Sequence, residues 1–171
     1  MNIPVITVIA AFGGQLALGG LLTDVGPWYK ELRKPSWNPP NWLFGPAWTL
    51  ILSLVAWSAV RLWTHAPDHT ALAAFAAAYI VNGIFYAFWS PLFFRWHRPD
   101  WAFIEGLGLW ASIIPMLLVA AAYDPKSAWL LAPYFAWVTF AMYLNYTIVR
   151  MNPPFGAATA KLSAVDEGRP A

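Results

Sequence analysis

Five long apolar stretches, separated by short polar breaks, dominate the pattern of this chain. A helix needs about 20 apolar residues to cross the hydrocarbon core of a bilayer. The stretches cover residues 3–22, 42–63, 71–94, 101–123 and 128–149. None of them alternates polar and apolar positions as the strands of a membrane β-barrel do. The pattern therefore predicts an all-α fold, an integral membrane bundle of five transmembrane helices.

The breaks between the stretches carry the Pro and charged residues typical of turns, at residues 65–69, 95–100 and 124–127. The first stretch has neither the basic leader nor the short apolar core of a signal peptide, so we interpret it as a retained helix. Beyond Arg150 the sequence becomes polar. We expect one membrane domain over residues 1–150 and a polar C-terminal tail over residues 151–171.

Composition supports the membrane interpretation and removes several chemistries. The chain is 60% apolar and 11% charged, whereas soluble domains are about 45–50% apolar and about 25% charged. Membrane lipid is thus a predicted partner. The net charge of +2 is not gathered in a basic patch, so we expect no nucleic-acid partner. The absence of Cys excludes disulfides, thiol catalysis and Cys-ligated metals.

Lys and Arg are concentrated on one side of the predicted bundle. The richer side carries Lys30, Arg33, Lys34, Arg95, Arg98, Arg150, Lys161 and Arg169, and the other side only Arg61 and Lys126. Cytoplasmic loops are enriched in these cations. We therefore expect the N-terminus outside and the C-terminus in the cytoplasm.

The connection between the first two helices, residues 28–48, is unusually rich in Trp and Pro. Indole rings bring rigid apolar surface with one N–H donor, and Pro fixes the backbone. We interpret this segment as a semi-rigid lid whose shape is held by Trp28, Trp37, Pro39 and Pro40. We call it the lid below.

Two predicted helices carry aromatic and amide side chains along one face. The spacing i, i+4, i+7 joins Asn82, Tyr86 and Trp89 on the third helix. On the fifth helix the spacing i, i+3, i+7, i+11 joins Tyr134, Trp137, Ala141 and Asn145. An unpaired amide is costly in hydrocarbon, so these faces should turn inward. With Trp48 they predict an aromatic pocket for a large, flat, apolar ligand. Interfacial belts explain Trp at helix ends, but not Trp137, which lies well inside its helix.

Small residues also share helix faces. Ala10, Gly13, Ala17 and Gly20 follow one face of the first helix, and we interpret them as a close-packing face inside the bundle. Ala74, Ala78 and Asn82 lie one turn apart on the third helix and are a candidate packing or homodimer face.

Three spaced motifs together resemble the signature of the TspO/MBR family, the tryptophan-rich sensory proteins and mitochondrial translocator proteins (peripheral-type benzodiazepine receptors). The first motif is Lys34 to Pro40 followed by Trp42, Phe44, Pro46 and Trp48. The second is Trp89 to Phe94. The third is Pro133 to Trp137 followed by Leu144 and Asn145.

This resemblance implies a five-helix bundle, often a homodimer, in a bacterial cell membrane. It implies porphyrin as the ligand, with cholesterol and isoquinolines in some members, and no covalently bound cofactor. By position, the ligand cavity of family members corresponds here to Tyr29, Trp48, Asn82, Trp137 and Ala141, joined by Trp89 and Tyr134. The chain departs from the family at Tyr86, where many members carry Asn, so we expect a narrowed or reshaped cavity.

Other chemical signals are weaker. Leu144, Tyr146 and Arg150 fit a sterol-recognition pattern that is loose by construction. Glu105 is an acid inside a helix, either functional or hydrogen-bonded so as to pin that helix. Lys30, Arg33 and Lys34 are the cations nearest to the carboxylates of a bound porphyrin. No metal ligands or catalytic residues are predicted.

These observations favour a membrane receptor or carrier that binds tetrapyrroles in sensing or transport. Two alternatives stay open. One is light-dependent oxidative breakdown of the porphyrin by the same Trp-lined pocket. The other is a non-catalytic membrane scaffold that uses the small-residue faces and the lid to bind partners.

Overall fold

The computed structural model describes residues 3–65 and 69–155. The predicted tail beyond Phe155, which includes Lys161 and Arg169, lies outside the described residues, as do three residues of the predicted turn at 65–69. The helices are α1 (Ile3–Leu22), α2 (Pro27–Glu31), α3 (Asn41–His65), α4 (His69–Ser90), α5 (Pro99–Tyr123) and α6 (Pro125–Met151), with a π-helical turn, Pro91–Arg95, continuing α4.

Within the described residues, four helical segments are long and apolar enough to cross a membrane: α3, α4 with its π-helical turn, α5 and α6. A shorter apolar stretch, Ile6–Leu22, forms most of α1. The predicted all-α bundle of five apolar helices is therefore confirmed. The short helix α2 lies inside the lid and was not predicted.

The helix α5 packs against both α4 and α6. On the other side α3 packs against α6, and α1 packs against α3 and α4. The core where these elements meet is apolar and almost fully buried, and includes Leu52, Leu62, Ile113, Met116, Leu131 and Val138.

The face by which α1 enters the bundle differs from the one expected. Ala10, Gly13 and Ala17 are exposed, and a Cβ added to Gly13 would meet no other atom within 4 Å. The interpretation of these residues as an internal packing face is therefore wrong. The amide of Gln15 explains the orientation, because it is buried and accepts a hydrogen bond from the hydroxyl of Tyr79 on α4 at 2.5 Å. A polar amide inside the bundle avoids the cost of facing lipid.

The end of α4 also differs from a regular α-helix. Pro91 has no N–H to donate, so the regular ladder is interrupted at this point. The backbone N–H of Trp96 instead donates to the carbonyl of Pro91 at 2.9 Å, and that of Arg98 to Leu92 at 3.0 Å. Such π-helical turns are frequent at functional sites. This one buries Phe93 and Phe94 beneath the lid.

Candidate ligand-binding site

A cavity of about 490 Å³ lies inside the bundle at the end that carries the lid. Its walls come from α1, α3, the α4 segment with its π-helical turn, and α6, with single residues from α2 and α5. Most of the lining side chains are aromatic or aliphatic. Cavities of about 300–1,000 Å³ with mainly apolar walls are typical of small-molecule sites.

Trp48 of α3 stands at the centre of the aromatic wall. Its ring meets three others edge to face: Tyr86 with centroids 5.3 Å apart, Tyr134 at 6.2 Å and Trp137 at 6.4 Å. Edge-to-face pairs are favourable arrangements for aromatic rings. The wall is therefore ordered by contacts between its own side chains before any ligand is present.

The structure places the predicted pocket residues in two layers. Six of them line the cavity: Tyr29, Trp48, Tyr86, Trp89, Trp137 and Ala141. The other two, Asn82 and Tyr134, lie behind the wall and are each 1% exposed.

Asn82 and Tyr134 form a buried hydrogen-bond network that joins three helices. The hydroxyl of Tyr134 donates to the amide oxygen of Asn82 at 2.9 Å, and the amide nitrogen of Asn82 donates to the hydroxyl of Ser112 at 2.9 Å. Both side chains are thus satisfied by protein groups. They hold α4, α5 and α6 together beneath Trp48 rather than facing the cavity.

Several lining residues were not predicted. Phe93 and Phe94 come from the π-helical turn, which no periodicity in the sequence indicated. The wall from α1 includes Leu16 and Gly19, and Thr23 lines the cavity directly after this helix ends. The hydroxyls of Thr23 and Ser90 lie 3.2 Å apart and connect the residue that follows α1 to the end of α4. This wall was missed because the sequence analysis assigned the wrong face of α1 to the interior of the bundle. Gln15 and Gly19 are four residues apart and share a face of the helix, and this spacing could have indicated the correct face.

The lid rests on the bundle through aromatic contacts at two separate places. Trp28 stacks on His97 with ring centroids 4.3 Å apart, and Tyr29 packs against Phe94 at 5.4 Å. Further along the lid, Trp37 stacks on Tyr143 of α6 at 5.2 Å. The lid therefore spans the cavity from the π-helical turn to α6.

A pair of hydrogen bonds fastens the middle of the lid to the end of α6. The backbone N–H of Arg33 donates to the amide oxygen of Asn152 at 2.8 Å, and the amide nitrogen of Asn152 donates back to the carbonyl of Arg33 at 2.8 Å. The same nitrogen also donates to the carbonyl of Ile148 at 2.8 Å, which anchors it to α6. We call this contact the Asn152 latch.

The prolines of the lid lead directly into α3. The amide nitrogen of Asn38 donates to the carbonyl of Pro39 at 2.8 Å. The carbonyl of Pro40 accepts from the N–H of Leu43 at 2.9 Å and starts the helix.

Lys34 is engaged within the lid. Its ammonium group donates to the carbonyls of Tyr29 and of Leu32, the latter at 3.0 Å, and lies 4.4 Å from the centroid of the Tyr29 ring. Burial lowers the pKa of Lys34. Of the three cations predicted to be nearest to the ligand carboxylates, Lys34 is thus held by groups of the lid, whereas Lys30 and Arg33 are exposed.

The residues of the sterol-like pattern do not share a surface. Leu144 is buried and lines the cavity, whereas Tyr146 is exposed and packs against Phe103. The guanidinium of Arg150 lies 6.0 Å from the centroid of the Tyr146 ring. Tyr146 and Arg150 thus form a surface pair separate from Leu144.

Glu105 lies off the cavity wall. Both of its carboxylate oxygens are buried and find no hydrogen-bond partner among the residues that the structure describes. The interpretation that a hydrogen bond of Glu105 pins its helix is therefore wrong. Asn145 does this instead: in the orientation that satisfies both partners, its amide donates to the carbonyl of Pro99 at 3.0 Å and accepts from the N–H of Phe103 at 3.2 Å.

Comparison with known proteins identifies the family. A model of the TspO/MBR family matches residues 5–151. The chain is 32% identical to the "Tryptophan-rich protein TspO" of Chlorobaculum tepidum, over 90% of this chain and 100% of that protein. It is 34% identical to "Protein CrtK" of Rhodobacter capsulatus, over 78% and 84% of the two chains. It is 32% identical to the "Translocator protein" of Sus scrofa, over 85% and 87%. The chain is therefore an integral membrane protein of the TspO/MBR family.

Proposed function

We propose that this protein is a membrane receptor or carrier that binds a porphyrin-type tetrapyrrole, or a similar flat apolar ring, beneath the lid. The observation that carries the proposal is the cavity of about 490 Å³ whose wall is formed by Trp48, Trp89 and Trp137. Indole faces stack well on flat π-systems. Membership of the TspO/MBR family, whose resemblance implied a porphyrin ligand, supports the same ligand class.

The charge distribution supports a defined ligand orientation. The lid end of the cavity carries the exposed cations Lys30 and Arg33, whereas the deeper wall is aromatic. A carboxylate at membrane depth is costly. The two propionate groups of a porphyrin would therefore stay near the lid, and the ring would enter the aromatic part of the cavity.

The experiment that tests the proposal is a titration of the full chain in nanodiscs with protoporphyrin IX, followed by Trp fluorescence quenching. Saturable binding that weakens in Trp137→Phe supports the proposal. The matched control is Trp129→Phe, because Trp129 is 78% exposed and lies on the same helix far from the cavity. Absence of saturable binding would contradict the proposal and favour the scaffold alternative.

Illumination of the same complex separates a receptor or carrier from an enzyme. Oxidative breakdown of the porphyrin is the second candidate function, because three electron-rich indoles line one cavity. We expect the absorption spectrum of the bound porphyrin to stay constant under light. Loss of the porphyrin bands in air that depends on Trp48 or Trp137 would instead support oxidative breakdown of the ligand.

A further inference from the structure

The hydroxyl of Tyr86 is fixed at the contact between α4 and α1. A Cβ added to Gly19 would lie 2.6 Å from the Tyr86 hydroxyl oxygen and 3.7 Å from the ring carbon that bears it. The Tyr86 ring is held edge-on against Trp48, with centroids 5.3 Å apart. Both Tyr86 and Gly19 line the cavity. The glycine thus provides the space that this hydroxyl occupies.

This hydroxyl differs from those of two nearby tyrosines in its hydrogen bonding. The hydroxyl of Tyr79 donates to Gln15 at 2.5 Å, and that of Tyr134 donates to Asn82 at 2.9 Å. Among the residues that the structure describes, the Tyr86 hydroxyl has no hydrogen-bond partner. An enclosed tyrosine usually finds such a partner. The Tyr86 hydroxyl is therefore available to a ligand in the cavity.

The position of Tyr86 limits which ligand group it meets. Among the lining residues of α4 and its π-helical turn, Tyr86 is the farthest from Arg95 at the lid end. The two residues are nine positions apart, which at 1.5 Å per residue corresponds to about 13 Å of helix between their backbones. A carboxylate is costly at that depth. A neutral oxygen, such as a ketone or aldehyde carbonyl, accepts a hydrogen bond there without carrying a charge.

We propose that Tyr86, seated against Gly19, is a specificity-determining residue that donates a hydrogen bond to a neutral oxygen on the inner edge of the ring ligand. The inference rests on the proposed function and adds a ligand preference to it. A ring with carbonyl groups on the edge opposite its carboxylates binds more tightly than a ring with alkyl groups there.

Two porphyrins that differ at this edge provide the test. Diacetyldeuteroporphyrin IX carries acetyl groups where mesoporphyrin IX carries ethyl groups, and both have the same two propionates. With the full chain in nanodiscs, we expect the acetyl compound to bind about three- to tenfold more tightly, the factor that one neutral hydrogen bond supplies. In Tyr86→Phe, which removes only the hydroxyl, we expect the ratio of the two affinities to fall to about one.

The outcomes separate this inference from the function on which it rests. Equal affinities of the unmodified protein for both porphyrins, or an unchanged preference in Tyr86→Phe, would overturn the role of Tyr86 while leaving porphyrin binding intact. Failure of both porphyrins to bind would overturn the proposed function itself.

A double-mutant cycle tests the seat of the hydroxyl independently of ligand chemistry. Gly19→Ala places a methyl group against the Tyr86 hydroxyl, so we expect it to displace the ring and weaken binding of mesoporphyrin IX severalfold. In the Tyr86→Phe background the nearest atom is the ring carbon at 3.7 Å, an ordinary contact. The penalty of Gly19→Ala should then disappear, which is the coupling expected of residues in contact. If Gly19→Ala weakened binding equally with Tyr86 and with Phe at position 86, the proposed contact between the Tyr86 hydroxyl and Gly19 would be contradicted.

Discussion

At the scale of single residues, the space available to a ligand depends on a small side chain in the cavity wall. Ala141 of α6 lines the cavity between larger neighbours, among them Trp137 and Met142. A larger side chain at this position occupies space that a ligand would otherwise fill. On the same helix Ala136 is exposed and points away from the cavity.

We expect Ala141→Phe to weaken protoporphyrin IX binding by roughly tenfold or more, because overpacking costs about 1–3 kcal/mol. The measurement is the dissociation constant from Trp quenching, with the unfolding temperature as a check of the fold. Ala136→Phe is the matched control and should bind normally. Unchanged affinity of Ala141→Phe would show that the ligand does not use this part of the cavity.

Tyr134 illustrates a residue that supports the wall without forming its surface. Tyr134→Phe keeps the ring against Trp48 and removes the hydrogen bond to Asn82. We expect the free energy of unfolding to fall by about 0.6 kcal/mol, the average for hydrogen bonds between membrane helices, and by no more than about 1.7 kcal/mol, the largest value found for such a bond. Reversible unfolding in mixed micelles measures this change. A large loss of porphyrin affinity with unchanged stability would instead place Tyr134 at the ligand.

At the scale of elements, the lid is attached by separate contacts to two parts of the bundle. Trp28 and Tyr29 pack against Phe93 and Phe94 of the π-helical turn. Trp37 packs against Tyr143 of α6, and the Asn152 latch holds Arg33 directly after the end of α6. The latch is a compact target, since one side chain makes both hydrogen bonds to Arg33.

We expect Asn152→Ala to increase the dissociation rate of a bound porphyrin severalfold, because the lid loses two hydrogen bonds of about 0.5–1.5 kcal/mol each. Stopped-flow displacement with excess competing ligand measures that rate. Thr147→Ala is a suitable control, since the Thr147 hydroxyl bonds only to the carbonyl of Tyr143 in its own helix, at 2.8 Å. Equal rates for the two variants would mean that the latch does not hold the lid.

The far end of the bundle is joined by a polar cluster. Ser127 donates to the carboxylate of Asp124 at 2.6 Å, and Arg61 of α3 donates to it at 3.0 Å. These hydrogen bonds lower the pKa of Asp124 from 3.8 to about 2. Since the pKa is lower in the folded state, the cluster stabilises the fold above about pH 4 and loses this effect as the pH falls toward 2.

Asp124→Asn should therefore lower the unfolding temperature at neutral pH and make unfolding less dependent on pH between about 4 and 2. Thermal unfolding followed by Trp fluorescence across that range provides the measurement. The exposed Asp24→Asn is the control and should keep the original pH profile. The same profile in Asp124→Asn as in the parent would refute a stabilising role for the ionised carboxylate.

The elements also show how far sequence reasoning reaches. Helix number and approximate position followed from the length of the apolar stretches, because the thickness of the bilayer sets that length. The rotation of α1 did not follow, because it depends on Gln15 meeting Tyr79 on another helix. The π-helical turn and α2 were missed for a similar reason: Pro91 and Pro27 indicate an interruption or a start, but not the geometry that results.

For the cavity, the sequence was informative about which residue types share a face. It did not distinguish a residue on the wall from one directly behind it. Asn82 and Tyr86 lie one turn apart on α4, yet Asn82 bonds to Ser112 and Tyr134 while Tyr86 lines the cavity. Only the positions of the partner helices decide between these two environments.

At the scale of the whole molecule, the distribution of Lys and Arg predicts the orientation in the membrane. Lys30 lies in the lid and Lys126 lies at the opposite end of the bundle, and both are exposed. The chain contains no Cys, so a single introduced thiol is labelled without background.

In right-side-out bacterial cells or vesicles, we expect Lys126→Cys to react with a membrane-impermeant maleimide. We expect Lys30→Cys to react only after the membrane is permeabilised, because cytoplasmic loops retain the excess of cations. The reverse pattern would place the lid outside the cell and contradict the predicted orientation.

The Asn152 latch has a consequence for communication across the membrane surface. Asn152 is the first residue after α6, so the segment that leaves the bundle begins at the same side chain that holds the lid. If the ligand alters the lid, it alters the start of that segment as well. Thermodynamic linkage requires the reverse effect to be equally strong. If a protein binds this segment and disturbs Asn152, it changes the affinity of the cavity for its ligand by a certain factor. The ligand then changes the affinity of that protein for the segment by the same factor. A partner that binds this segment outside the membrane would therefore respond to whether the cavity inside the bundle holds a ligand.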